Sequence, residues 1–372
     1  MFYSALSYYR RLTIKLNFYF LIAVFVCLLV FFDPYDAWGV ATFVFVLNFI
    51  FSKLIRTMDS KRKTGVVCRL CGNQNTVRLF PARKKRQSEE KGSFACSSFD
   101  HGRYPDIFYC SECKNGFLKD LGTHKYQGFF DQAAELYGDV EDTDYLDNID
   151  ARYITNQKNV EKYTEYFKDK EVLEIGSYYG AFYHEVKKVC KSYQGVEPSR
   201  HASEYLKKKL RPEDDLYNGT IESYLEKIGT EKSFDTIVLF DVIEHVPDPI
   251  SLLKKINSLL KDDGIVLFST INIESAFSVA LGPYWPWFMD MHYYYFSDRG
   301  YIDMLHRSGF IRIGHRHYPY YVYFSYFVLK ILSILFGTRK LPEGLNKLLR
   351  FPIKICFGDT VLIEGKKVKQ WG

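Results

Sequence analysis

Two cysteine pairs with the same spacing, Cys68-Arg-Leu-Cys71 and Cys110-Ser-Glu-Cys113, stand about forty residues apart in a chain of eight cysteines. Two C-x-x-C pairs can close a tetrahedral site of four thiolates, which suits structural zinc and leaves no coordination position open for catalysis. Gly72 and Gly116 follow the pairs and free the backbone for tight turns. Cys27, Cys96, Cys190 and Cys356 are scattered, so the pattern favours metal over a disulfide framework, and with it a reducing compartment. The alternative is four unrelated buried thiols. A second candidate is the glycine turn Glu174-Ile-Gly176-Ser177-Tyr-Tyr-Gly180. Such a turn after a first strand brings backbone amides close to a ligand. Glu197, about twenty residues further on at the end of a second β-rich run, can accept both hydroxyls of a ribose. Together they imply a nucleoside-bearing cofactor.

These groups need a sheet to hold them. From about Lys170 short β-rich runs alternate with helical stretches, the pattern of a parallel sheet with crossover helices, and so of an α/β fold. Candidate strands are 171–175 (EVLEI), 192–197 (SYQGVE), 236–240 (TIVLF), 264–270 (GIVLFST), 310–315 and 360–364, with a weak third strand before Thr220. The chain of 372 residues has room for accessory modules. The expected division is a membrane-anchoring helical hairpin over 1–60, a zinc-ribbon-like cysteine module over 61–130 and a catalytic domain over 131–372.

The hairpin rests on two apolar runs, Leu16 to Phe32 and Gly39 to Ile55, separated by Asp-Pro-Tyr-Asp-Ala-Trp. Each is near the lower limit of about 17 to 20 residues needed to span the hydrocarbon core, so a re-entrant or monotopic hairpin stays open beside a transmembrane one. Arg10, Arg11 and Lys15 precede the first run, and Lys53, Arg56, Lys61, Arg62 and Lys63 end or follow the second. The positive-inside rule then places both ends, and the catalytic domain, on the cytosolic side of an inner or plasma membrane. No small-x-small cleavage site follows the first run, which argues against a signal peptide. The net charge of +6 is too dispersed to imply nucleic acid, and membrane phosphates are the better counter-ions. The aromatic excess, 30 Tyr and 31 Phe against 4 Trp, concentrates in 283–296 and 318–336. Aromatic belts favour the membrane interface, so residues 318–357 are expected to form an interfacial insert that meets a lipid-attached acceptor. An ordinary buried helix pair is the competing reading.

Four segments in order, Val172–Gly180, Gly195–Glu197, Phe234–Asp248 and Leu259–Phe268, resemble successive motifs of class I S-adenosylmethionine methyltransferases, whose sheet is Rossmann-like. Glu244-His-Val-Pro-Asp248, His292-Tyr-Tyr-Tyr-Phe-Ser297 and Ser308-Gly-Phe310 look like the branch holding ubiquinone-biosynthesis O-methyltransferases and many glycan-modifying enzymes. A cysteine module ahead of the fold is similar to sugar methyltransferases. The resemblance covers roughly Asn148 to Phe310, with 360–367 as the last antiparallel strand. It implies S-adenosyl-L-methionine as cofactor, with Glu174, Gly176, Ser177 and Gly180 shaping its methionine side, Glu197 holding the ribose and Thr220 to Glu222 lying along the adenine. Arg152 would meet the cofactor carboxylate, and Asp241 would line the cleft. The family's usual central glycine is here Tyr178, which must tolerate the turn or point away.

A sulfonium activates its own methyl group, so the protein mainly aligns, desolvates and removes the acceptor's proton. His245 and His292 are the candidate bases, against the plainer readings of a helix-start residue and a packed side chain. Asp241-x-x-Glu244-His245 also resembles the magnesium-binding residues of some quinone O-methyltransferases. The leading reading is O-methylation of a sugar on a lipid-linked glycan at the membrane. A quinone-precursor O-methyltransferase, a nicotinamide-dependent oxidoreductase and a non-catalytic membrane scaffold are the alternatives.

Overall fold

The computed structural model describes residues 64–83, 104–119, 142–229, 233–289, 291–336, 338 and 340–368. The expected hairpin, residues 1–60, lies outside the described residues, as do residues 84–86 of the basic stretch Arg83-Lys-Lys-Arg86 between the cysteine pairs. Among the described residues no helix is long and apolar enough to cross a membrane.

The strands are β1 Thr76–Phe80, β2 Ile107–Cys110, β3 Gly116–Leu118, β4 Glu171–Ile175, β5 Ser192–Glu197, β6 Asp215–Asn218, β7 Phe234–Phe240, β8 Leu260–Ile271, β9 Tyr294–Tyr295, β10 Phe310–His317, β11 Tyr320–Tyr323, β12 Pro352–Ile355 and β13 Thr360–Lys367. Seven of them form the main sheet in the order β10-β13-β8-β7-β4-β5-β6. β4 to β8 run parallel, and β13 lies antiparallel between β8 and β10. The strand order reverses at β4, between β5 and β7, which opens a crevice at the carboxyl ends of these strands. This is the Rossmann-like α/β sheet that the strand runs imply.

Alternate residues of the central strands feed two different cores. Leu173, Ile237, Leu239, Val266 and Phe268 face one side, and Val172, Val238 and Leu267 the other. The period of two fits strands buried on both faces, which read as continuous apolar runs. The helix Pro249–Leu259 covers one side. Asp248 starts it by accepting the Ser251 amide at 2.9 Å, with Pro249 in the first turn. Leu253 and Ile256 on this helix are fully buried, each contributing about 1.5–3 kcal/mol of transfer free energy. After the glycine turn the helix is one turn long, Tyr183–Val186.

The cysteine module is not a separate body. Its strands β1, β2 and β3 are completed by β9 from the catalytic part of the chain, through the antiparallel pairs Gly116↔Tyr295 and Phe117↔Tyr294. Cys68, Leu70 and Phe117 share one hydrophobic core with Leu239 and Phe268. Two expectations change here. In the second cysteine turn the left-handed residue is Lys114 (φ 63), not Gly116. Gly116 is small because a Cβ there would lie 2.7 Å from Ile273 Cδ1 and 3.1 Å from Tyr295 Cβ. The aromatic run 283–296 is interior: Trp285, Phe288, Tyr293, Tyr294, Tyr295 and Phe296 are all buried. The insert over 318–357 is a different case. β11 and β12 pair as an antiparallel ribbon bracketing the helices Phe324–Phe336 and Glu343–Leu348. Apart from buried Ser325, the first helix is only half-buried along the part whose side chains are described.

Candidate functional site

The crevice starts at the turn after β4. Gly176 and Gly180 have φ of +82° and +76°, and a Cβ on them would sit 2.6 Å from Val242 Cγ2 and 2.4 Å from Leu206 Cδ1. Only glycine meets both the backbone and the space requirement. Between them Tyr178 is also left-handed, at φ 46°, a costly conformation for a bulky side chain. Its ring is held from three directions. The hydroxyl donates to Asp142 Oδ2 at 2.9 Å, and the ring meets Tyr145 and Tyr179 edge-on, both with centroids 4.7 Å away.

Glu197, at the end of β5, is buried. Its Oε2 accepts the Tyr178 amide and its Oε1 the Ser199 amide, both at 2.7 Å. Burial lifts its pKa to about 7 against these two amides, which favour the charged form. A carboxylate has about four acceptor positions, so each oxygen retains a lone pair for a hydroxyl. Asn218 lies beside Glu197 in register and donates to its carbonyl at 2.9 Å, so the β6 edge opens onto the same crevice. The turn, the strand-end carboxylate and this edge fit a nucleoside cofactor.

The other predicted cofactor residues divide. Arg152, on helix Ile149–Lys162, stacks its guanidinium 4.0 Å over the Tyr145 ring and interacts electrostatically with Asp241, which places both at the crevice. Glu174 and Ser177 lie under the turn: Tyr193 donates to Glu174 Oε2 at 2.5 Å and stands 2.8 Å from Ser177 Oγ. They brace the loop from below. Burial raises the Glu174 pKa strongly. Thr220 caps helix Ile221–Ile228 in a capping box with Ser223, and Glu222 pairs with Lys255 at 2.9 Å, so both side chains serve local structure.

The residues expected on the acceptor side lie beyond β7. Asp241 (φ 55°) is exchanged with Ser269, its amide donating to Oγ at 2.9 Å and its Oδ1 accepting the hydroxyl at 2.7 Å. It is open to solvent yet ringed by protein that raises its pKa through desolvation, the situation of a cleft floor. Tyr318 and Tyr320, from the start of the insert, interact electrostatically with both Asp241 and Arg152. Deeper in, His245 and His292 meet edge to face with centroids 4.6 Å apart. His245 Nδ1 bonds Met291 O at 3.0 Å, and His292 Nδ1 bonds Trp287 O at 2.8 Å. A carbonyl only accepts, so each Nδ1 carries the hydrogen and Nε2 is the basic nitrogen. Burial drives His245 down to about 4, which makes it a neutral acceptor over the working range and a poor match for general-base work. Glu244 is buried, accepts Thr270 Oγ1 at 3.1 Å, and is raised to about 8 by burial and by Asp241.

Magnesium on Asp241, Glu244 and His245 is not supported. The group within ligand reach is Glu244, His245 and His292, while Asp241 turns to Ser269. Two imidazoles and one carboxylate suit a transition metal better than a hard cation that prefers oxygen.

Cys68, Cys71, Cys110 and Cys113 converge, all four sulfurs lying within 4.8 Å of one another. Cys68 and Cys113 are 3.6 Å apart, as are Cys71 and Cys110. A tetrahedron with metal–sulfur bonds of about 2.3 Å has edges of about 3.8 Å, whereas a disulfide is about 2.05 Å. The donor set and its size fit zinc.

Sequence reasoning missed Asp142 and Tyr145, and took in Tyr318 and Tyr320 only as part of the expected insert. Asp142 could have been found as an N-cap: it accepts the Tyr145 amide at 3.0 Å at the start of helix Thr143–Asp147. Tyr145 gave no signal apart from the general aromatic excess.

Residues 150–311 match the family model described as a methyltransferase domain. Curated relatives include the ubiquinone biosynthesis O-methyltransferase of Actinobacillus pleuropneumoniae serotype 5b, 30% identical over 108 residues, or 28% of this chain and 46% of that protein. The protein of the same name from Histophilus somni is 29% identical over 141 residues, 36% of this chain and 56% of that one. The chain thus spans about half the length of the curated relatives it matches. Among solved structures, YcgJ from Bacillus subtilis aligns with a TM-score of 0.41 at 17% identity, covering 57% of this chain and 98% of that one. Coclaurine N-methyltransferase bound to N-methylheliamine and SAH aligns at 0.39 and 15% identity, covering 58% and 72%.

Proposed function

We propose that this chain, whose residues 150–311 match a methyltransferase-domain model, is an S-adenosylmethionine-dependent enzyme that O-methylates a sugar of a lipid-linked glycan at the cytosolic face of an inner or plasma membrane. The observation that carries the methyl-transfer reading is the built cofactor edge: two left-handed glycines flanking a turn whose amide is pinned on Glu197. Glu197 holds the ribose hydroxyls, Gly176 and Gly180 let the backbone approach, and Arg152 faces the cofactor's carboxylate from the rim. Bound there, S-adenosylmethionine supplies an electrophilic methyl group. Asp241 and the tyrosines of the insert orient the acceptor, and His292 takes the acceptor's proton through Nε2. His245, neutral through burial, holds the pair of rings in register. Zinc fills the four-cysteine centre as a structural ion.

The lipid-linked acceptor is supported by the insert. Helix Phe324–Phe336 is apolar and, Ser325 aside, half-buried over 324–333, and Leu345, Leu348, Phe351 and Phe357 nearby are exposed, with Lys347, Arg350 and Lys354 among them. Apolar groups interleaved with cations suit an anionic membrane surface. Methylation of a quinone precursor is the second reading, favoured by the names of the curated relatives. The test is calorimetric titration of detergent-purified protein with S-adenosylmethionine, S-adenosylhomocysteine and NADH, beside Glu197→Ala. Binding of the two sulfur compounds, lost in the variant, supports the reading. Binding of NADH alone, or of nothing, would leave an oxidoreductase or a scaffold.

A further inference from the structure

The segment from His292 to Ser297 joins the reaction crevice to the cysteine centre. At its start, the Tyr293 amide donates to Glu244 O at 2.9 Å, and His292 faces His245. In its middle, Tyr294 and Tyr295 pair with β3, and the Leu118 amide donates to Tyr293 O at 3.0 Å. At its end, Ser297 Oγ donates to the carbonyl of Cys113 at 2.8 Å and caps helix Asp298–Arg307 by accepting the Gly300 amide at 2.9 Å.

One side chain spans the join. Asn115 is fully buried. Its Nδ2 donates to Cys113 Sγ at 3.4 Å, and its Oδ1 accepts the Ser297 amide at 2.7 Å. Asn and Gln carry a donor and an acceptor on one planar group. An aspartate could keep the Ser297 bond only by placing a charge beside the thiolates. Helix Asp298–Arg307 makes room for this amide, since a Cβ on Gly300 would collide with it. Hydrogen bonds to a ligating atom orient the ligand and tie it to its surroundings.

We propose that Asn115 is a positioning residue through which the metal-filled cysteine centre holds the His292–Ser297 segment, so that metal occupancy sets the acceptor side of the crevice while the cofactor side stands independently. The inference rests on the methyl-transfer reading only in taking His292 as the base.

The test is amide hydrogen exchange, read by mass spectrometry, on the detergent-solubilised full chain loaded with zinc. Asn115→Ala is expected to keep one zinc per chain and to bind S-adenosylhomocysteine within about twofold of the parent. Amides of 293–297 should exchange roughly tenfold faster, the equivalent of one ordinary buried hydrogen bond, while those of 176–180 and 197–199 stay unchanged. Ser297→Ala, which keeps the backbone amide but loses the Cys113 carbonyl bond and the helix cap on the Gly300 amide, should also speed exchange in 293–297 and serves if Asn115→Ala fails to fold. Stripping zinc with a chelator should release 293–297 before the cofactor edge. Unchanged exchange at 293–297 in both variants, or simultaneous release of both edges on zinc removal, overturns the proposal. A parent chain that binds no S-adenosylhomocysteine but shows the coupled exchange would sink the methyl-transfer reading and leave the coupling standing.

Discussion

Replacing Tyr178 by glycine separates two accounts of a strained residue. If the tyrosine merely tolerates a turn built for glycine, Tyr178→Gly relieves a left-handed backbone worth about 1–2 kcal/mol, less the roughly 0.5–1 kcal/mol that glycine's greater freedom costs. The fold would gain slightly. The structure predicts the opposite sign. The variant loses a hydroxyl–carboxylate bond to Asp142, worth about 1.5–3 kcal/mol with a charged partner. It also loses two edge contacts, to Tyr145 and Tyr179, at about 0.5–1.5 kcal/mol each. Because Tyr178 is only partly buried, the lower ends apply, and the net is a destabilisation of about 2 kcal/mol. Tyr178→Ala keeps the strain and loses the same contacts, so it should be worse by about 1 kcal/mol. Tyr178→Phe should fall between the parent and the glycine variant. Urea unfolding followed by tyrosine fluorescence ranks the four proteins. A glycine variant as stable as the parent would refute the claim that the ring is a structural anchor, and one less stable than the alanine variant would refute the backbone strain.

Four further outcomes follow from the geometry. Glu197 is lifted from its ordinary 4.5 to about 7, so its contribution to stability is complete below pH 4.5 and is lost as pH rises through about 7, a span of roughly 3 kcal/mol; Glu197→Gln should flatten that decline in urea midpoints measured from pH 5 to 8. His245, pushed down to about 4 by burial, should keep a neutral Hε1 signal in NMR spectra down to about pH 5, and a midpoint near its ordinary 6.5 would show that the ring is not enclosed. Cys110→Ser should lower the zinc found per chain by metal analysis, whereas Cys356→Ser, at an exposed thiol outside the cluster, should leave it unchanged. Gly180→Ala places a methyl 2.4 Å from Leu206 Cδ1 at φ +76°, so it should cost about 2–4 kcal/mol from overpacking and backbone strain together, measurable as a lowered thermal midpoint.

What the sequence disclosed is what local periodicity encodes. EVLEI and TIVLF are apolar on both alternations because β4 and β7 are covered on both faces, and a strand buried twice leaves an uninterrupted run. The glycine turn and Glu197 were legible for the same kind of reason, since each solves a local problem of backbone space or of an acceptor at a strand end. β9 was not. It is two residues long, too short to show a period, and its partner β3 lies more than 170 positions earlier in the chain. No window of sequence holds both.

The aromatic segments show that composition alone does not separate an interface from an interior. Tyrosine and tryptophan suit a membrane interface because the ring is apolar and its edge needs a hydrogen-bond partner, and water is not the only partner available. In 283–296 the edges are answered from within: Tyr294 donates to Pro247 O at 2.9 Å, Tyr295 to Met289 O at 3.1 Å, and Trp285 and Trp287 both to Asp359 Oδ2 at 2.9 Å. Asp359 is buried and sits just before β13, about seventy residues from the tryptophans it receives. With their polar edges satisfied in the interior, these rings can weld the cysteine module to the sheet instead of meeting lipid. Removing the acceptor should therefore be felt at that weld. Asp359→Leu leaves the buried Trp285 indole N–H and the half-buried Trp287 one without a carboxylate, the buried one costing about 1–3 kcal/mol. The expected result is faster hydrogen exchange at 285–288 and at 116–118. Exchange that stayed at the parent rate in both segments would show that the aromatic run holds itself in place by packing alone.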